Sequence, residues 1–244
     1  MRTARLFLRG GLLLTLALAA LAGLPKLPAV PKAPAAPQLA ASGAGAADPK
    51  LWLGRADELV AQLDGATACL ESGRAALFSL AATAEEKKLL ADLQVGGDAA
   101  AGDVVVKSRQ YQAEVVERAR QERRFAAKQL NAEQARNMGR LGSNLLLAIR
   151  RDQVALEAGK KLVGDADDVL KAAREPRQAL RLGKDAGRVA AMPARLQESL
   201  GRVPGQLDAL GALLQAVEQT RANNQLELTP APASGGSYET IEDF

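Results

Sequence analysis

The sequence contains no histidine among its 244 residues. That removes the usual general base at neutral pH and the commonest transition-metal ligand. Ser–His–Asp and Cys–His centres are excluded with it. There is one cysteine, Cys69, so no intramolecular disulfide, thiolate zinc site or iron–sulfur site can be built. In an oxidising compartment an odd cysteine is either a buried thiol or a bridge to another chain. Its neighbours Ala66, Ala68 and Leu70 favour the buried thiol, because free cysteine packs as a small apolar residue.

Aromatic residues make up 3% of the chain, so any core must be built from Leu, Val and Ala. Strand signals are also scarce. Val104-Val105-Val106 is the only β-branched run, and it is too short to found a sheet. Phosphate loops are missing: Gly159-Lys160 and Gly183-Lys184 lack the upstream glycine and the following hydroxyl of a P-loop. Asp165-Ala166-Asp167-Asp168 fails as a calcium loop, since Leu170 stands where glycine is needed and Pro176 where glutamate is needed. The pairs Asp167-Asp168 and Glu85-Glu86 are adjacent, and neighbours on a helix diverge by about 100°. Carboxylate chemistry therefore has no obvious centre. These absences point to a protein that is not an enzyme and carries no cofactor or metal.

The N-terminus holds the one long apolar run. Arg2, Arg5 and Arg9 precede a core from Gly10 to Ala22, and Ala20-Leu21-Ala22 supplies small residues for a cleavage site. Such a core reaches about 20 Å as a helix, short of the ~30 Å hydrocarbon thickness of a bilayer. The pattern reads as a secretory signal peptide over residues 1–22. An uncleaved anchor in the inner membrane is the alternative. Removing this segment, with three arginines and no acid, brings the +4 of the whole chain to +1. The apparent basicity thus belongs to the export signal, and no nucleic-acid footprint remains.

Residues 23–47 form a Pro/Ala-rich spacer. Pro25, Pro28, Pro31, Pro34 and Pro37 recur every three residues, the period of polyproline II. Residues 48–227 read as one helical domain. Asp48-Pro49 marks a helix start, and a first helix extends to about Ala82 with Leu53, Ala56, Leu59, Leu63, Ala66, Leu70, Leu77 and Leu80 near one face. Thr83-Ala84-Glu85-Glu86 is a capping-box pattern for a shorter helix to about Gln94. Residues 96–102 read as a loop, with Asp103 capping the next helix. That helix either continues from Val104 to Val163 or restarts at Asn131, and Leu145 to Ile149 should lie in the middle of the fold. Gly164 with Asp165 suggests a further boundary, and Pro176 another.

The last helical region carries a heptad-like seam: Val189, Met192, Leu196, Leu200, Val203, Leu207, Leu210, Leu214 and Val217. Pro193 and Pro204 interrupt it, and residues 201–205 are the expected break. Residues 228–244 form an acidic tail, expected to be disordered, in which Tyr238, Ile241 and Phe244 recur every three residues. The expected architecture is an all-α antiparallel helical bundle with coiled-coil-like segments, flanked by the spacer and the tail. The expected function is that of an exported, periplasmic or extracellular, scaffold or interaction protein of the bacterial cell envelope. A periplasmic carrier with a small apolar ligand or lipid between its helices is the alternative. Contact with a protein partner or a second copy is expected through Leu207, Leu210 and Leu214, or through Tyr238, Ile241 and Phe244.

Overall fold

The structure is a computed structural model that describes residues 48–95, 101–226 and 236–241. The signal and spacer segments and Phe244 lie outside the described residues. Among the described residues there are six α-helices: α1 (Pro49–Ala81), α2 (Ala84–Val95), α3 (Ala101–Gln121), α4 (Ala132–Ala173), α5 (Pro176–Leu182) and α6 (Ala186–Asn224). No strand occurs among the described residues.

Local capping sets several boundaries. The Asp48 carboxylate accepts from the Lys50 and Leu51 amides, and Pro49 occupies the first helical position, where a missing N–H costs nothing. Thr83 and Glu86 form a reciprocal box, Glu86 accepting from the Thr83 amide at 2.8 Å and Thr83 from the Glu86 amide at 3.2 Å. Asn131 and Gln134 form a second box at the start of α4. Of the two alternatives, a continuous helix to Val163 or a restart at Asn131, the restart is the one formed, and a short 3-10 turn, Arg124–Ala127, bridges α3 to it.

Tertiary packing decides other boundaries against local signals. Gly164 and Asp165 do not end a helix: α4 runs through them to Ala173, because Leu162, Ala166 and Val169 continue its buried stripe. The expected break at residues 201–205 is also absent. Helix α6 passes Pro193 and Pro204 without interruption. Pro204 is exposed and Pro193 half-exposed, so the missing donors fall toward solvent while Val189, Met192, Leu196 and Val203 face inward. Asp103 lies within the first turn of α3 rather than ahead of it. Pro176 does start a new helix, α5, which Gly183 closes with φ of 51°.

The long helices α1, α4 and α6 pack along their lengths. Trp52 near the start of α1 donates its indole N–H to the Leu162 carbonyl late in α4, at 3.0 Å. Asp57 of α1 pairs with Arg188 at the start of α6, at 2.7 Å. Thus α1 and α6 run parallel and α4 runs against both. Helix α2 folds back, and α3 returns beside the second half of α1. Arg118 and Arg124 converge on buried Glu86 there, and Arg120 bonds Gln215 of α6 at 2.7 Å.

Two apolar blocks fill the bundle. One gathers Leu77, Phe78, Val115, Leu141, Leu145 and Leu210, and the other Trp52, Leu59, Leu162, Val169, Val189 and Leu196. A polar layer lies between them. Gln206 of α6 donates to Asp152 Oδ1 of α4 at 3.4 Å and accepts from Thr67 of α1 at 3.1 Å. Close approach of the helices uses glycine at Gly73 and Gly159. A Cβ at Gly159 would stand 2.5 Å from a methyl of Leu200, and one at Gly73 would stand 3.1 Å from Leu213.

A candidate partner-binding groove

The stretch around Asn144 explains the site. Arg140, Asn144 and Arg151 are spaced by four and seven residues on α4, so they share one helical face. Gly65 and Cys69 share a face of α1 by the same rule. Between the two helices lies the segment Gly236–Ile241, without helix or strand.

Asn144 is buried and grips this segment through its backbone. Its Nδ2 donates to the Glu239 carbonyl at 2.8 Å, and its Oδ1 accepts from the Glu239 amide at 2.9 Å. One amide side chain thus satisfies both polar groups of one residue, as a neighbouring strand would. Arg151 donates to the Gly236 carbonyl, and its guanidinium lies 4.6 Å from the centre of the Tyr238 ring. The ring rests against Gly65, where an added Cβ would sit in ordinary contact, 3.5 Å from Cε2. Tyr238 and Ile241 both pack on the first apolar block. Arg140 approaches the Glu239 carboxylate at 3.7 Å; both side chains are well exposed, so this pair contributes little.

Beneath the groove, burial controls ionisation. Cys69 is buried, and the loss of water pushes its thiol up to about 12, with Arg151 pulling down and Asp152 pushing further up. A protonated thiol is a poor nucleophile and a poor metal ligand. Asp152 is fully enclosed, and desolvation raises its carboxyl to about 7 against the opposing bond from Gln206. Its Oδ2 has no hydrogen-bond partner among the described residues. Burial likewise raises the Tyr238 phenol, with Arg151 acting in the opposite sense.

The residues expected from sequence are distributed unevenly. Tyr238 and Ile241 lie in the groove, half-buried. Leu210 and Leu214 are interior, and Leu207 packs against both apolar blocks, so this trio builds the core. Sequence reasoning missed Gly65, Asn144, Arg151 and Asp152. The available signal was the four-and-seven spacing of Arg140, Asn144 and Arg151.

A second concavity, of ≈ 210 Å³, is lined by Arg74, Ala113, Val116, Glu117, Arg120 and Leu213 among others. It is smaller than the ~300–1,000 Å³ of small-molecule pockets. Arg120 and Glu117 are committed to each other across it, and Arg120 also holds Gln215. Among the described residues, no helix is long and apolar enough to cross a membrane, and no acidic or cysteine cluster is arranged to hold a metal.

Comparison with known proteins finds no matching family model, no similar curated protein and no similar solved structure.

Proposed function

We propose that the protein is a non-catalytic helical scaffold, exported to the bacterial cell envelope, that holds protein segments on the outside of its bundle. The observation that carries this reading is the paired contact of Asn144 with both backbone groups of Glu239. A buried amide committed to the main chain of an extended segment is equipment for binding polypeptide. The N-terminal pattern of Arg2, Arg5 and Arg9, a short apolar core and Ala20-Leu21-Ala22 supports export. The enclosed, protonated thiol of Cys69 and the lack of histidine support a role without catalysis.

The test uses the full chain in a Gram-negative host. The protein is expected in the periplasmic fraction with a mass that has lost the residues up to about Ala22. A photo-reactive residue in place of Arg136, one turn from Arg140 on α4, is expected to trap a discrete second polypeptide. A cytosolic chain that keeps Met1 would overturn the assignment to the envelope. Photo-products confined to a single chain would overturn the role as a scaffold.

A further inference from the structure

We propose that the groove between α1 and α4 is a recognition site for an extended segment of another protein, one bearing a tyrosine, an acid next to it and an aliphatic residue two positions further on. The segment Gly236–Ile241 is its resident competitor. This inference rests on the interaction reading above and names the chemistry of its partner.

Three features define the ligand. Asn144 requires an extended backbone with a free N–H and C=O at one residue. Arg151 and Gly65 form a slot for a flat ring: the guanidinium covers one part, and the glycine leaves room that a larger side chain would fill. Ile241 seats an aliphatic side chain on the first apolar block. Charge agrees with the slot chemistry. Arg140 faces the carboxylate of Glu239, the acid next to Tyr238.

Chain length makes the resident exchangeable. Asn224 fixes the end of α6 beside the start of α4, donating to the Lys128 carbonyl at 2.7 Å and accepting from the Leu130 amide at 2.9 Å. Gly236 is held by Arg151, further along α4 by a rise of roughly 25 Å or more. The chain from Leu226 to Gly236 reaches at most about 36 Å. Reaching the groove from its own helix therefore uses most of the available length, which lowers the effective concentration of the tethered segment. A segment from another chain carries no such restriction.

The test is fluorescence anisotropy of a labelled peptide with the sequence from Gly236 to Phe244, titrated with the full chain. Tyr238→Ala weakens the resident, so this chain is expected to bind the peptide at least tenfold more tightly than the wild type. Adding Gly65→Leu to Tyr238→Ala fills the ring slot from a half-exposed helical position, and is expected to abolish binding while helical circular dichroism stays intact. Adding Arg151→Lys instead keeps the charge, removes the planar cover, and should weaken binding several-fold. A dimer of the wild type that Tyr238→Ala dissolves would show that the groove takes a second copy of this chain and would overturn the assignment to another protein. No saturable binding to Tyr238→Ala up to about 1 mM, the upper range for a well-matched flexible tether, would overturn the site. So would binding indifferent to Gly65→Leu. Failure here with successful export and trapping sinks the groove alone; peptide binding by a cytosolic chain sinks only the envelope assignment.

Discussion

Asp152 holds a carboxyl group at zero exposure, with one oxygen facing Gln206 across a long 3.4 Å contact. Its pKa is raised from 3.8 to about 7 by desolvation, so the folded protein keeps this proton where the unfolded chain releases it. The resulting stability is complete below about pH 4 and is lost as pH rises toward 7, at a rate of the order of 1 kcal/mol per pH unit. Asp152→Asn removes the ionisation and keeps the size. The stability of the variant relative to wild type is expected to rise from pH 4 to pH 7 and then level off, as read from urea unfolding at fixed ionic strength. A constant difference across that window would show that Asp152 does not titrate as described.

At the scale of single helices, α4 and α6 show what local signals can and cannot specify. The caps at Asp48, Thr83 and Asn131 were legible because each needs only residues within three or four positions. The run of α4 through Gly164 was not, because it depends on the stripe Leu162, Ala166 and Val169 meeting partners far away in sequence. The glycines of α4 divide accordingly. Gly164 is exposed, with nothing within 4 Å of an added Cβ, whereas Gly159 stands against Leu200. Gly164→Ala is expected to stabilise by up to about 1 kcal/mol, the helix-propensity gain. Gly159→Ala must displace Leu200, an overpacking cost of about 1–3 kcal/mol that offsets the same gain. Chemical denaturation of the two variants should therefore rank Gly164→Ala above Gly159→Ala; equal values would show that Leu200 moves aside without cost.

For the whole molecule, the all-α bundle was legible from leucine spacing, since Val189, Met192, Leu196, Val203, Leu210, Leu214 and Val217 are all buried as their periodicity implies. The groove was not, because Gly65, Asn144, Arg151 and Tyr238 are brought together only by the fold. Tyr238 and Ile241 stood out as apolar residues among acids, but nothing local could say that their own bundle would receive them. The seam residues have a sharper consequence for stability. Leu210→Glu places a carboxylate at a position with no exposure and is expected to cost more than about 3 kcal/mol, a large part of the 5–15 kcal/mol of a typical domain. The same change at Leu180, 84% exposed on α5, should be nearly silent in thermal unfolding followed by circular dichroism. Intact helicity in Leu210→Glu would contradict the interior placement of the seam.

A ladder of similar leucines is nearly degenerate under translation: one helix can slide seven residues past another and still find apolar neighbours. Gln206 removes that freedom. Slipped by a heptad, α6 would set Leu213 or Ser199 against Asp152 and carry Gln206 away from both Asp152 and Thr67. The polar layer therefore works as an index mark, giving the three long helices one axial alignment out of several that oily contacts alone would accept.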